Sequence, residues 1–493
     1  MNDTRYTRRA GRRFGLAAAV GAGMLALAAC DGLLDVELPG EMTEEDLFQS
    51  QSAGMIVDSA IADFECSYSM MSAIMSGGED ATWKTSGYFT TTTEHQTTRP
   101  GGGSCTGNSD VGTNFFQGFQ KSRFLAEAAY DHLQEWPDAE VPNRAQLLAT
   151  SATYVGLFFT WTGETYCEFA RAEGPIMTPM QVLQEAEEWY TRALGHMGSG
   201  DFSIVSTESL RQLALLGRAR ARLAMGDHSG AAADASQIEP GFVAYVTRDS
   251  SVRGRWNAPY QAFNATRWRT VAGPMWWFGH DEDLMVSAGY YDLTISPDGR
   301  QTVNDGVLDP RVPVEFTGEF AQDGVTDQWN QQKYTSLGQD EYLARWAEAQ
   351  LILAEVEFEQ GSPQSTVDRI NTLRDVHGLP HFSSTDEREI WSALIEERRR
   401  EFFMEGGRHY ADKLRYGLWF PRGRGWNHKT VRYGLGYCML MPTNAYELNP
   451  NVEPGYEGPD LSDLNYTFQL TIDRPIELGV DWPVPASLDF DYF

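Results

Sequence analysis

Between residues 341 and 360 the chain keeps helical time. Leu343, Trp346, Ala347, Gln350, Leu351, Ala354 and Phe358 fall at steps of three and four, along one face of an α-helix. Gly361-Ser362-Pro363 stops that helix, and residues 366–376 read as a second helix returning against it. Comparable spacing recurs over 53–75, 115–136, 144–168, 179–197, 207–225, 229–238 and 387–406. In Leu216-Gly217-Arg218-Ala219-Arg220-Ala221, then Gly226, then Ala231 to Ala235, small residues sit where two antiparallel helices must approach closely. That is tetratricopeptide character. The expected fold is therefore mostly α, a tetratricopeptide-like helix-pair scaffold with a loop-rich variable portion and few short strands.

The expected order is residues 1–29 as a leader and 30–50 as a tether. An N-terminal helical repeat region follows over 51–240, interrupted by a long Thr- and Gly-rich loop at 76–113. A loop that long in a compact domain is functional or disordered. Residues 241–340 mix Gly, Pro, Asp and aromatics without helical period and read as loops with short strands or irregular turns. Helix pairs return over 341–420, and 421–493 is a loop-rich tail.

The N-terminus reads as an export signal. Arg5, Arg8, Arg9, Arg12 and Arg13 precede an apolar run from 14 to 29, shorter than the roughly 20 residues a spanning helix needs. The run ends in Leu27-Ala28-Ala29-Cys30, which resembles the bacterial lipobox, so Cys30 is the expected lipidation site, with acyl chains such as palmitate on it. Arg12-Arg13-Phe14 also resembles a twin-arginine signal. Four further cysteines, Cys66, Cys105, Cys167 and Cys438, form an even set in an exported chain. Three connectivities are open, and Cys66–Cys167 with Cys105–Cys438 is the expected one.

The formal net charge of −30 argues against nucleic acid as a partner, since phosphates would be repelled. The chain has no H-E-x-x-H, G-x-S-x-G or G-x-x-x-x-G-K-[ST]. His377 and His381 are four apart, but Gly378 and Pro380 between them spoil a helix. No metal site or cofactor is expected. The run Glu396-Glu397-Arg398-Arg399-Arg400-Glu401 taken alone reads as a solvated helix face, with Glu396 in reach of Arg400.

Four segments, in order, resemble the SusD/RagB family of nutrient-binding outer-membrane lipoproteins. They are the lipidated start Cys30-Asp31-Gly32-Leu33-Leu34-Asp35-Val36, and the helix pair Arg345-Trp346-Ala347-Glu348-Ala349-Gln350-Leu351-Ile352-Leu353-Ala354-Glu355 with Ile370-Asn371-Thr372-Leu373-Arg374. The third runs from Glu396 to Gly406 and on through Arg408, Asp412, Leu414, Arg415, Tyr416 and Gly417. The fourth is Pro442 with Leu448-Asn449-Pro450-Asn451. The resemblance implies four tetratricopeptide-like helix pairs with a variable loop-rich part, here 241–340 as the ligand-binding region, an outward-facing outer-membrane location and a SusC-like TonB-dependent transporter as partner. It implies capture of a glycan or another oligomeric nutrient, peptide included, without catalysis. In this light Arg398, Glu405, Arg408 and Asp412 tie the last helix pair together by charge-assisted hydrogen bonds. An exported helical glycoside hydrolase, with paired carboxylates, and a protein-interaction scaffold are the alternatives.

Sugars offer apolar C–H faces and hydroxyl edges, so flat aromatic rings beside polar groups are the binding chemistry to seek. Loop-borne candidates are Asp80, Trp83 and Tyr88, then Trp256, Tyr260, Trp268, Trp276, Trp277 and Tyr290. Trp161, Trp189, Trp346 and Trp391 lie in periodic helices and are expected in the core.

Overall fold

The structure is a computed structural model. It describes residues 47–76, 79, 82–85, 115–271, 293–295, 302–304, 309–324, 326–417, 425–426, 431–432, 438–460 and 470. The helices of the scaffold are α1 (Ala53–Met75), α2 (Phe115–Glu135), α3 (Arg144–Thr165), α4 (Pro179–Met197), α5 (Leu210–Ala224) and α6 (His228–Ala235). Then come α7 (Trp346–Glu359), α8 (Pro363–His377), α9 (Glu387–Glu401) and α10 (Arg408–Arg415). Their starts are chemically marked. Thr178 and Gln181 form a reciprocal capping box ahead of Pro179. Ser209 accepts from the Gln212 N–H at the head of α5, and Asp386 from those of Arg388 and Glu389 at the head of α9.

Helices pack pairwise: α1 on α2, α3 on α4, α5 on α6, α7 on α8, with α9 against α8 and α10. Small residues set the spacing between pairs. A Cβ added to Gly217 on α5 would lie 2.4 Å from the Tyr190 ring of α4, and one added to Gly156 on α3 would lie 2.8 Å from the same ring. Tyr190 thus fills a slot that only glycines leave open, and its hydroxyl meets Thr160 at 3.1 Å. Trp161, Trp189 and Trp391 are buried as the helical spacing requires, and Trp346 is partly buried.

Between and beyond the helices run six two-stranded antiparallel ribbons among the described residues. The strands are β1 (Trp83–Lys84), β2 (Phe169–Ala170), β3 (Ile176–Met177), β4 (Val243–Val246), β5 (Arg269–Thr270) and β6 (Leu293–Ile295). They continue as β7 (Thr302–Asn304), β8 (Val314–Phe320), β9 (Asp327–Gln331), β10 (Glu341–Arg345), β11 (Gly425–Trp426) and β12 (Val431–Arg432). β10 pairs with β4, so the helix read from Leu343 onward begins only at Trp346. Pairing of Tyr342 with Tyr245 and of Ala344 with Ala244 overrides the helical spacing at Leu343.

The charge run on α9 is not a solvated face. Glu396, Glu397, Arg398, Arg399, Arg400 and Glu401 are all buried. Arg398 holds Asp412 of α10 through two bonds of 2.8 Å, and Arg400 holds Glu396 at 2.8 Å, as the four-residue spacing predicted. Glu397 receives Arg374 of α8 at 2.7 Å and Arg311 at 2.6 Å. Glu405 and Arg408 reach outside the last pair: Glu405 receives Lys333 and Arg345, each at 2.6 Å, while Arg408 grips Glu348 of α7 and the Leu343 carbonyl. Burial raises the carboxyl of Glu401, yet Arg345, His377 and Arg311 outweigh it and hold Glu401 well below the usual carboxylate range. Within this network a cavity of about 20 Å³, lined in part by Arg220, Arg398, Arg408 and Asp412, is large enough for one water.

The disulfide expectation is corrected. Cys167 bonds to Cys438, with Cα atoms 5.1 Å apart, so neither Cys66–Cys167 nor Cys105–Cys438 forms. The reason is local. Tyr166 bridges Met439 in parallel, the Cys167 N–H reaches the Met439 carbonyl, and the Met439 N–H reaches that of Thr165. This lays the C-terminal segment along the end of α3. Cys66 is also disulfide-bonded; Cys105 and Cys30 lie outside the described residues.

Candidate ligand-binding surface

Two strands that sequence places far apart meet at one edge of the loop-rich region. β1 pairs with β5, Trp83 opposite Thr270 and Lys84 opposite Arg269. The Thr85 N–H reaches the Trp268 carbonyl at 2.9 Å. β5 in turn abuts β9: the Thr270 hydroxyl donates to the Asp327 carbonyl and accepts from the Trp329 N–H, while the Val271 N–H meets the Trp329 carbonyl. β9 pairs with β8, Phe316 opposite Trp329 and Phe320 opposite Asp327. The segment carrying Trp83 is thereby joined edge to edge with the β8–β9 ribbon.

That ribbon presents aromatic rings. Phe316 and Trp329 stack with centroids 4.9 Å apart and planes 28° apart. Phe316 keeps 46% of its surface in solvent and Phe320 keeps 59%, well above the share expected of large apolar side chains. Beneath the ribbon lies a core of Phe263, Trp268, Val271, Val312, Tyr334, Phe403 and Met404, against which Trp329, Val314 and Tyr260 pack. Gln328 is fully buried and donates to the carbonyls of Phe263 and Arg269. Gln331 donates to the Tyr334 carbonyl and to Asn264. The exposed rings therefore sit on a floor tied to the end of α9. Arg267 anchors the corner. Its backbone is left-handed at φ 56°, its carbonyl accepts from Thr85 and Gln322, and its guanidinium pairs with Glu319.

The predicted site residues divide. Trp83 has its backbone on this sheet. Tyr260 borders the same core half-buried, whereas Trp268 is 6% exposed with the Arg269 guanidinium 5.0 Å from its ring. Trp268 is thus a floor anchor, not a ligand platform. Trp256 is half-buried, and its indole N–H donates to the Ser250 carbonyl at 2.9 Å, which holds a turn. Asp80, Tyr88, Trp276, Trp277 and Tyr290 lie outside the described residues. Phe316, Phe320 and Trp329 were not anticipated. The signal was there: Val314-Glu315-Phe316 alternates, Asp323-Gly324 marks a turn, and an aromatic strand follows. Each residue alone, however, looked like ordinary loop. Among the described residues no group of His, Cys, Asp and Glu is arranged to hold a metal ion.

Residues 255–485 match the family model described as the SusD family. No curated protein matches the sequence. Solved structures share the fold at low identity. A SusD superfamily protein from Bacteroides vulgatus has a TM-score of 0.57 at 13% identity, covering 83% of this chain and 100% of that one. A SusD-like carbohydrate binding protein from the same species has a TM-score of 0.54 at 14% identity, covering 89% and 99%. B. fragilis NanU has a TM-score of 0.55 at 13% identity, covering 85% and 100%.

Proposed function

We propose that the chain, whose residues 255–485 match the SusD family model, is a SusD/RagB-type, non-catalytic outer-membrane lipoprotein that binds glycan and passes it to a TonB-dependent transporter. The observation that carries the binding half is exposed Phe316 stacked on half-buried Trp329, with exposed Phe320 further along the same strand, over a core packed on the end of α9. Flat apolar rings cover the C–H face of a pyranose, and nearby carboxylates, amides and hydroxyls take the hydroxyl edge. A structural neighbour that carries the words carbohydrate binding protein in its name supports this reading.

Location follows from the leader, with Cys30 acylated and the body held at the membrane surface. The described residues include no helix long and apolar enough to cross a membrane, and the Cys167–Cys438 bond suits an oxidising compartment. Handing on the ligand needs an open surface and no bond cleavage. The test is a binding titration against a glycan panel. Phe316→Ala and Phe320→Ala should each weaken binding by about 1–3 kcal/mol, as expected for a partly buried aromatic anchor. Unchanged affinity in both removes this ribbon from the site.

A further inference from the structure

We infer that the β8–β9 ribbon selects uncharged glycans and turns away those bearing uronic, sialic or sulfate groups; this rests on the glycan-binding reading above. Around the exposed rings the described charges are mostly of one sign. Glu315 precedes Phe316, Glu319 precedes Phe320, and Asp327 is the cross-strand partner of Phe320; all three are exposed. Asp323 stands at the turn between the strands, accepting from Thr326. Among the described side chains, the nearby cations are already used. Arg267 is paired with Glu319, and Arg269 is wholly buried, donating to Thr82.

Two effects then act together. Carboxylates accept hydrogen bonds and cannot donate them, so the rim is matched to hydroxyl donors. A sugar carboxylate or sulfate offers only more acceptors and sets like charges side by side. Neither Arg267 nor Arg269 offers the free guanidinium fork that anionic sugars would need. The whole chain, at net −30, adds a repulsive field of the same sign.

The experiment titrates the mature protein with a panel of neutral glycans and with the same glycans oxidised at C6 to carboxylates, at low and high salt. Neutral binding should be insensitive to salt. The oxidised partner of any binder should be weaker by about tenfold or more at low salt, with the gap narrowing at high salt. The triple variant E315Q/E319Q/D327N should close the gap between the oxidised and the neutral glycan to within about twofold. Equal or tighter binding of the oxidised glycan by the unaltered protein overturns this inference and leaves glycan binding standing. Binding of no glycan, neutral or oxidised, overturns both.

Discussion

At the scale of single residues, the unusual feature is how much charge is buried. Arg398 and Asp412 are each nearly shut off from water, and two bonds join them. Removing one partner strands the other in a medium that solvates it poorly. Asp412→Ala should lower the unfolding free energy by about 3–5 kcal/mol in denaturant titrations; a loss below about 1 kcal/mol would place this pair with weak surface pairs. Glu79 works the other way. Burial pushes its carboxyl up to about 8, although the backbone N–H groups of His409 and Tyr410 donate to it. The native state thus keeps a proton that the unfolded chain releases near its ordinary value of 4.5. Its contribution is full below that pH and fades as pH rises toward about 8. Glu79→Gln should flatten the fall in melting temperature over that window; a profile parallel to that of the unaltered protein would contradict the assignment.

At the scale of elements, Gly217 shows why the repeat pairs sit as close as they do. Gly217→Ala drives a methyl into the Tyr190 ring, so it should destabilise by about 1–3 kcal/mol despite the better helix propensity of Ala. A more stable variant would show that the two helices can slide apart without cost. Helices were legible because period and caps are local: 53–75 and 179–197 coincide with α1 and α4. The burial of α9 was not legible from its charge run, because its partners include Asp309 and Arg311 of the loop-rich region and Arg345 of β10. The aromatic ribbon was half legible. Ring type and loop setting single out Trp83 and Tyr260; Trp83 lies on β1, paired with β5, and Tyr260 packs against the core beneath the ribbon. Phe316 and Trp329 matter through a cross-strand register that a linear reading does not supply.

For the whole molecule, long-range closure is the part that spacing alone could not reveal. Cys167 and Cys438 are 271 residues apart, and their bond sits next to the parallel bridge between Tyr166 and Met439. Cys438→Ser should cost about 2–5 kcal/mol of stability, since a long loop is freed in the unfolded chain. On the proposed reading, the scaffold and the staple support a ribbon that holds a ligand at its surface. Isothermal titration of the mature protein with glycan, followed by chain-length analysis of the recovered glycan, tests that account most directly. The expected result is saturable binding that Phe316→Ala weakens, with every glycan recovered at its starting length. Shortened chains, or binding indifferent to Phe316 and Phe320, would contradict it.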